Sequence, residues 1–179
     1  MALGKKEWLE EGFKLLSEFA QDKLTMQYLC KRLGVTRGSF YHHFKGIEDY
    51  VQKMMEKWEE ENTQQLVEIS NQGKSPIEAM EILAQSISLK NQVIEAAIRS
   101  WSFYHPVVGT HVQKVDQIRL QHLTHIFIEM GVSKERANLR AKLDYGTLVG
   151  IQLLFPKITK TEMEQLWTEQ RTMLHTESK

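Results

Sequence analysis

An all-helical fold is what this sequence predicts, and three observations predict it. Apolar residues recur at three- and four-residue spacing through most of the chain. Helix punctuation divides that pattern at short intervals, with Thr25, Ser75-Pro76, Ser133 and Thr159 at starts and Gly34, Gly131 and Pro156 at ends. No segment alternates apolar and polar residues as a half-buried strand would. With 179 residues, 41% of them hydrophobic, the chain can bury a proper core in one or two domains. About nine helices are expected. The first three form a small domain over residues 1–46, and the others a larger helical domain over 47–179.

Residues 5–20 read as an amphipathic helix, with Trp8, Leu9, Phe13, Leu16, Phe19 and Ala20 on its apolar face. Thr25 can cap a second helix running to Leu33, on which Met26, Leu29, Cys30 and Leu33 share a face. Cys30 is the only cysteine, so no intramolecular disulfide can form, and its place on that face assigns it to packing. Gly34 supplies the left-handed residue that ends the helix, and Val35 plugs the turn. Thr36 is then a candidate N-cap for a short helix in which Phe40 and Phe44 sit four apart and face inward. Arg37, Gly38, Ser39, Tyr41, His42 and His43 occupy its other faces. Helix, short Gly-containing turn and second helix make a helix-turn-helix, whose second helix normally enters a DNA major groove.

Charge is distributed to match. Net charge is zero over the whole chain, but residues 1–46 carry eight Lys/Arg and five Asp/Glu, 8 − 5 = +3, leaving 15 − 18 = −3 for the remainder. A basic small domain beside an acidic larger one is the asymmetry expected when one end meets phosphate.

A long helix starts after Gly46, with Glu48 and Asp49 favourably placed in its first turn, and runs to about Ile69. Ser75, Pro76 and Glu78 open a helix that buries Ile77, Met80, Leu83, Ala84 and Ile87. After a break near Lys90-Asn91 another helix spans Val93 to about Tyr104. His105-Pro106 starts a long helix to Met130, apolar on more than one side. Ser133 caps the next, which runs to Phe155, and a Thr159/Glu162 capping box opens the last, through Leu174. The segment Gly131-Val132-Ser133-Lys134 imitates the turn at Gly34 but lacks the aromatic donors after it, and reads as an ordinary corner.

The segment Thr25 to Phe44, ending in Tyr41-His42-His43-Phe44, closely resembles the DNA-binding region of TetR-type transcriptional regulators. A softer similarity covers Ala97-Ile98-Arg99-Ser100-Trp101, His105-Pro106, Asp116, Arg119-Leu120 and the Ala137/Ala141 pair. The resemblance implies a DNA-binding domain of three helices followed by a ligand-sensing, dimer-forming domain. It assigns base-edge contacts to Arg37 and Ser39, close approach to Gly38, and phosphate contacts to Tyr41 and His43, with His42 able to do either. Thr25 and Gln27 lie where family members touch backbone or a neighbouring base, and Thr36 belongs to the same surface. One departure is Ile47, where family members commonly carry a phosphate-gripping Lys; Lys45 is the expected substitute.

Function then implies a homodimer reading a near-palindromic duplex. The last two helices are the expected interface, through Tyr145, Leu148, Val149, Gln152 and Leu153 on one helix. Met163, Leu166, Trp167, Gln170 and Leu174 are its counterparts on the other, and Gly146 and Gly150 would permit close approach. A small, largely hydrophobic effector is expected among Met54, Trp58, Met80, Trp101 and Tyr104, with His105, His122, Phe127 and Tyr145. Nothing in the sequence names it. Repression relieved by ligand is the family's usual behaviour and is adopted as the expectation.

Enzymatic activity is not expected. His122 and His125 could share a metal at i, i+3, but HExxH, a nucleophile elbow and a Gly-rich phosphate loop are all missing, and no cofactor is expected. No apolar run reaches membrane-spanning length and no signal-peptide core is present, so a cytoplasmic protein without membrane partners is expected. The alternative is a helical interaction module that kept the layout and lost specific DNA binding.

Overall fold

A computed structural model of the chain describes residues 3–176, the side chains of 171 and 173–176 excepted. The elements in order are α1 (Lys5–Phe19), a 3-10 turn (Ala20–Lys23), α2 (Met26–Leu33), α3 (Arg37–His43) and α4 (Ile47–Glu59). A π turn (Glu60–Gln64) leads into α5 (Gln65–Ser70), followed by α6 (Pro76–Ser88), α7 (Gln92–Ser102), α8 (Pro106–Glu129), α9 (Lys134–Leu154) and α10 (Lys160–Thr176). With the continuous run from Ile47 to Ser70 counted as one, the described residues hold nine helices and no strand. No helix among them is long and apolar enough to cross a membrane.

By packing, the chain forms two compact units. The first comprises Met1–Glu61 and Val93–Asp116, the second Asn62–Gln92 and Gln117–Lys179. The first unit thus takes in α4, α7 and the start of α8 beyond the three-helix segment 1–46. In its core Trp8 meets Phe40 edge-on at 5.4 Å and Phe44 at 6.2 Å, and Phe44 meets Tyr50 at 5.0 Å. Ile98, Trp101, Val108, Val112 and Val115 belong to the same core. The buried Tyr50 hydroxyl donates to the Trp8 carbonyl at 2.7 Å, where α1 passes close at Gly12. A Cβ at Gly12 would stand 2.1 Å from that hydroxyl, so only glycine fits there.

The second core gathers Leu66, Ala79, Leu83, Leu123, Ile126, Phe127, Ala137, Ala141, Tyr145 and Leu148. The π turn widens the helix and frees backbone carbonyls. Arg119 answers this by donating to the Asn62 carbonyl at 2.9 Å and to the Thr63 hydroxyl at 3.1 Å.

Several expectations need correction. The helix after Gly46 is not uniformly α-helical to Ile69 but carries the π turn. Ile77, expected inside, is 64% exposed, because Ala79 and Leu83 take the buried side of α6 and Ile77, two residues before Ala79, falls on the other side. Phe19, at the frayed end of α1, is partly exposed and leans on the Tyr28 ring at 6.0 Å. Neither Thr36 nor Ser133 uses its side chain as a cap. At Thr36 the reason is visible: the Ser39 amide already donates to the Thr36 carbonyl at 3.1 Å, which leaves the hydroxyl without that task.

Candidate nucleic-acid interface

The turn between α2 and α3 is built by local signals. The Thr25 hydroxyl accepts from the Tyr28 amide at 3.2 Å and starts α2. Gly34 ends it at φ 67°, its amide and that of Val35 donating to the Lys31 and Cys30 carbonyls. The buried Cys30 thiol reaches the Thr36 carbonyl at 3.6 Å, which ties α2 to the start of α3, and burial raises its pKa. Packing, as expected, is its role. Arg32 fastens α2 to α1, donating to Glu11 at 2.8 Å and to both carboxylate oxygens of Glu18 at 2.7 and 3.0 Å.

On this frame α3 turns Phe40 into the core, and Phe44, expected on the same helix, instead follows its end in extended backbone and is buried beside it, both with essentially no exposure. Arg37, Gly38, Tyr41 and His42 lie on the exposed side, Tyr41 at 57%, and Thr25, Gln27, Thr36 and Lys45 are exposed around them. Ser39 and His43 are half-buried. His43 is already engaged: its Nε2 lies 2.7 Å from the Leu3 carbonyl, so its ring is fixed and only Nδ1 is left for a phosphate. A Cβ on Gly38 would meet only the Thr36 hydroxyl at 3.6 Å, an ordinary contact, so the protein's own packing does not require glycine there. Ile47 packs half-buried against the first core. The Lys45 amide donates to Asp49 at 2.8 Å, so an acid already covers part of the α4 N-terminus.

A cavity of about 80 Å³ lies in the second unit. Of the nine residues expected around an effector, Met80, His122 and Tyr145 line it. Met54, Trp58 and Trp101 instead fill the first unit's core. Tyr104 is 83% exposed, and His105 sits against Trp101 with its Nε2 3.5 Å from Glu48. Phe127 is core without reaching the cavity wall. Large side chains at helical spacing carry no mark that separates a wall from a core, which is why the expectation spread over both units.

The cavity's polar groups include three that sequence reasoning did not assign to it: Arg119, Asp144 and Gln170. Arg119 is spent on the π turn and on the Tyr145 hydroxyl at 3.4 Å. His122 bonds to Ser70 at 3.1 Å and is held neutral by burial, with His125 adding to the effect. Asp144 accepts from Gln170 Nε2 at 2.8 Å, and burial pushes its carboxyl up to about 6. A signal for Asp144 existed: it is a lone acid within the helical stripe Ala137, Ala141, Tyr145 and Leu148.

Of the expected dimer residues, Tyr145, Leu148, Gln152 and Met163 are buried inside the second unit, while Val149, Trp167 and Gln170 are half-buried. Leu153 and Leu166 are exposed, and the Leu174 side chain lies outside the described residues. The exposed face of α9 carries Leu139, Leu143, Gly146, Gly150 and Leu153, at alternating four- and three-residue steps. Nothing lies within 4 Å of a Cβ placed on either glycine. No group of three or more His, Cys, Asp or Glu able to hold a metal is found among the described residues.

Comparison with known proteins agrees with the geometry. Residues 9–54 match the family of bacterial regulatory proteins designated tetR. No curated protein matches the chain. A solved structure described as a transcriptional regulator from Pseudomonas aeruginosa PAO1 shares the fold at TM-score 0.71 and 14% identity, over 96% of this chain and 90% of that one. A transcriptional regulator from Rhodococcus sp. Rha1 does so at TM-score 0.74 and 17% identity, over 91% of each chain. Fold, recognition segment and family match coincide on the N-terminal helices, where residues 9–54 are similar to the bacterial regulatory proteins of the tetR family.

Proposed function

We propose that the protein is a dimeric, sequence-specific DNA-binding repressor, released from a near-palindromic operator by a small hydrophobic effector. The observation that carries the DNA reading is the division of the α3 segment, with Phe40 and the residue after the helix, Phe44, locked inward and Arg37, Gly38, Tyr41 and His42 turned outward. Arg37 and Ser39 read base edges, a bidentate Arg–guanine pair supplying about 1–3 kcal/mol of discrimination. Tyr41, His42 and the free edge of His43 hold phosphates, joined by Lys45 and, from the flank, Thr25, Gln27 and Thr36. DNA binding belongs to residues 1–46, and effector binding with dimerisation to 47–179. The effector site is the cavity at Met80, His122 and Tyr145, and such a regulator works in the cytoplasm as a non-enzyme.

The dimer forms through the exposed face of α9. Leu139, Leu143 and Leu153 offer apolar area, and Gly146 and Gly150 let a partner helix approach closely. A two-fold dimer reading a near-palindrome presents its recognition helices about one DNA turn, ~34–36 Å, apart.

Selection of bound duplexes from a random library, with Arg37→Ala as control at two salt concentrations, tests this reading. An inverted repeat enriched by the wild type and lost by the variant is the expected result. Affinity should fall by roughly 10³–10⁵ between 50 and 200 mM salt if about 6–10 phosphates are neutralised. Equal, weak, unselective binding by both proteins would leave the interaction-module reading in its place.

A further inference from the structure

The cavity in the second unit has a chemical polarity that narrows what it would hold, on the reading that it is the effector site. Its wall is apolar apart from a few polar groups, and most of those are satisfied within the protein: Arg119 by Thr63 and Asn62, His122 by Ser70. Two polar atoms of lining residues are not, and a third group is only partly compensated. The Gln170 side-chain amide donates to Asp144, but its Oε1 is buried without a partner. The Trp167 indole N–H is likewise buried without an acceptor. Asp144 holds a carboxylate against an apolar wall; burial raises its pKa, and the Gln170 bond and the charge of Arg140 offset only part of that rise. Buried polar groups are nearly always paired, so orphans gathered at a cavity describe the complement of its ligand.

The complement is two donors and one acceptor. Gln170 Oε1 and the Asp144 carboxylate need N–H groups, and a positive charge on them gains most because Asp144 is ionised in a poorly solvated place. The Trp167 N–H needs an oxygen. Size is limited too: about 80 Å³ is roughly half of the ~150 Å³ cavity that takes benzene, which favours a short branched alkyl body over a ring.

We propose that this cavity binds a compact alkyl ammonium carrying a neighbouring hydroxyl or ether oxygen. Its N–H groups are donated to Asp144 and Gln170, its oxygen accepts from Trp167, and its alkyl group lies against Leu66, Leu83 and Leu148. An alcohol of the same shape would leave the charge of Asp144 unanswered, and a carboxylate would add a second anion beside it.

Four probes test the class on the full chain: isobutylamine, 1-amino-2-methylpropan-2-ol, isobutanol and isobutyrate. Binding is measured by calorimetry and by the indole N–H resonance of Trp167, assigned with Trp167→Phe. The amine should bind at least about tenfold tighter than the alcohol, and the amino alcohol tighter again with the larger resonance shift. Asp144→Asn should erase the amine's advantage while the folded spectrum is kept. Gln170→Leu, which leaves the charge in place, should lose only part of it. Equal binding of amine and alcohol, a preference for isobutyrate, or an unchanged preference in Asp144→Asn would overturn the assignment. The same probes are then added to protein on its selected duplex. Amine binding without DNA release upholds the ligand class and removes the effector role. No binding by any probe, with the duplex selected normally, overturns the ligand class and leaves the DNA reading intact.

Discussion

Gly38→Ala separates a glycine kept for an outside partner from one kept for the fold. Alanine at this position would place its Cβ 3.6 Å from the Thr36 hydroxyl and meet nothing else within 4 Å. The substitution therefore gains helix propensity, about 0.5–1 kcal/mol near a helix end, with no packing cost. Isolated protein should unfold at higher urea, read by the fluorescence of Trp8, Trp58 and Trp101, three of its four tryptophans, all in the first unit. On the selected duplex the same variant should lose at least about tenfold in affinity, about 1.4 kcal/mol, because a methyl group now stands between the α3 backbone and the groove. Gly12→Ala is the internal contrast: its Cβ would lie 2.1 Å from the Tyr50 hydroxyl and 2.7 Å from Met54 Sδ. That overpacking should cost about 1–3 kcal/mol of stability, and Tyr50→Phe should return part of it in a double-mutant cycle. Unchanged duplex affinity in Gly38→Ala would refute the close approach of α3 to DNA. A loss of stability in that variant would refute the local packing argument.

Other outcomes follow from the same geometry. Thr25→Ala should cost about 1 kcal/mol in the same unfolding assay, since the hydroxyl caps α2 by accepting from Tyr28. Leu143→Glu should turn a dimer into a monomer in sedimentation and reduce binding to the inverted repeat to half-site strength, because Leu143 is 68% exposed on the α9 face assigned to the partner. Asp144 predicts a pH dependence. Its carboxyl rises from 3.8 to about 6 on folding, so the folded form holds the proton more tightly. That stabilisation is fully present below about pH 4 and lost as pH rises through 6, for a total of roughly 1–3 kcal/mol. Wild-type stability measured relative to Asp144→Asn should decline across that window and be flat above pH 7. His122 contributes in the opposite sense, since its lowered value means that acid below its usual 6.5 destabilises the fold, and the difference between the two proteins removes it.

What could be read from the sequence divides along the range of the interactions. The recognition unit is specified within twenty residues: a cap at Thr25, a left-handed glycine at Gly34, and Phe40 and Phe44 at one helical step. Each of these acts over a turn or two of chain, so periodicity and turn chemistry recover it. The cavity is specified by residues from 62 to 170, brought together only by tertiary packing. Met54 and Met80, or Trp101 and Trp167, are alike in sequence, yet the first of each pair is core of one unit and the second lines the cavity of the other. Ser39 and His43 show the same limit on a smaller scale, since helical spacing put them outward while both are half-buried, His43 against the Leu3 carbonyl.

α9 shows why the proposed dimer face was the hardest to read. Ala137, Ala141, Tyr145, Leu148 and Gln152 form one stripe along it, and Leu139, Leu143, Gly146, Gly150 and Leu153 form another on the opposite side. A helix apolar on both sides has no single periodic face, so the expected interface drew Tyr145, Leu148 and Gln152 from one stripe and Leu153 from the other. Packing resolves the two. The first stripe is spent inside the second unit, where Tyr145 and Leu148 also line the cavity beside Asp144. The second has no such use among the described residues, and its glycines each give up about 0.8–1 kcal/mol of helix propensity for space that no described residue fills. A position that costs stability and answers to no internal contact is best explained by an external one. For the Gly146/Gly150 face, the contact proposed above is a second copy of the chain, since a two-fold interface pairs the same patch on both subunits.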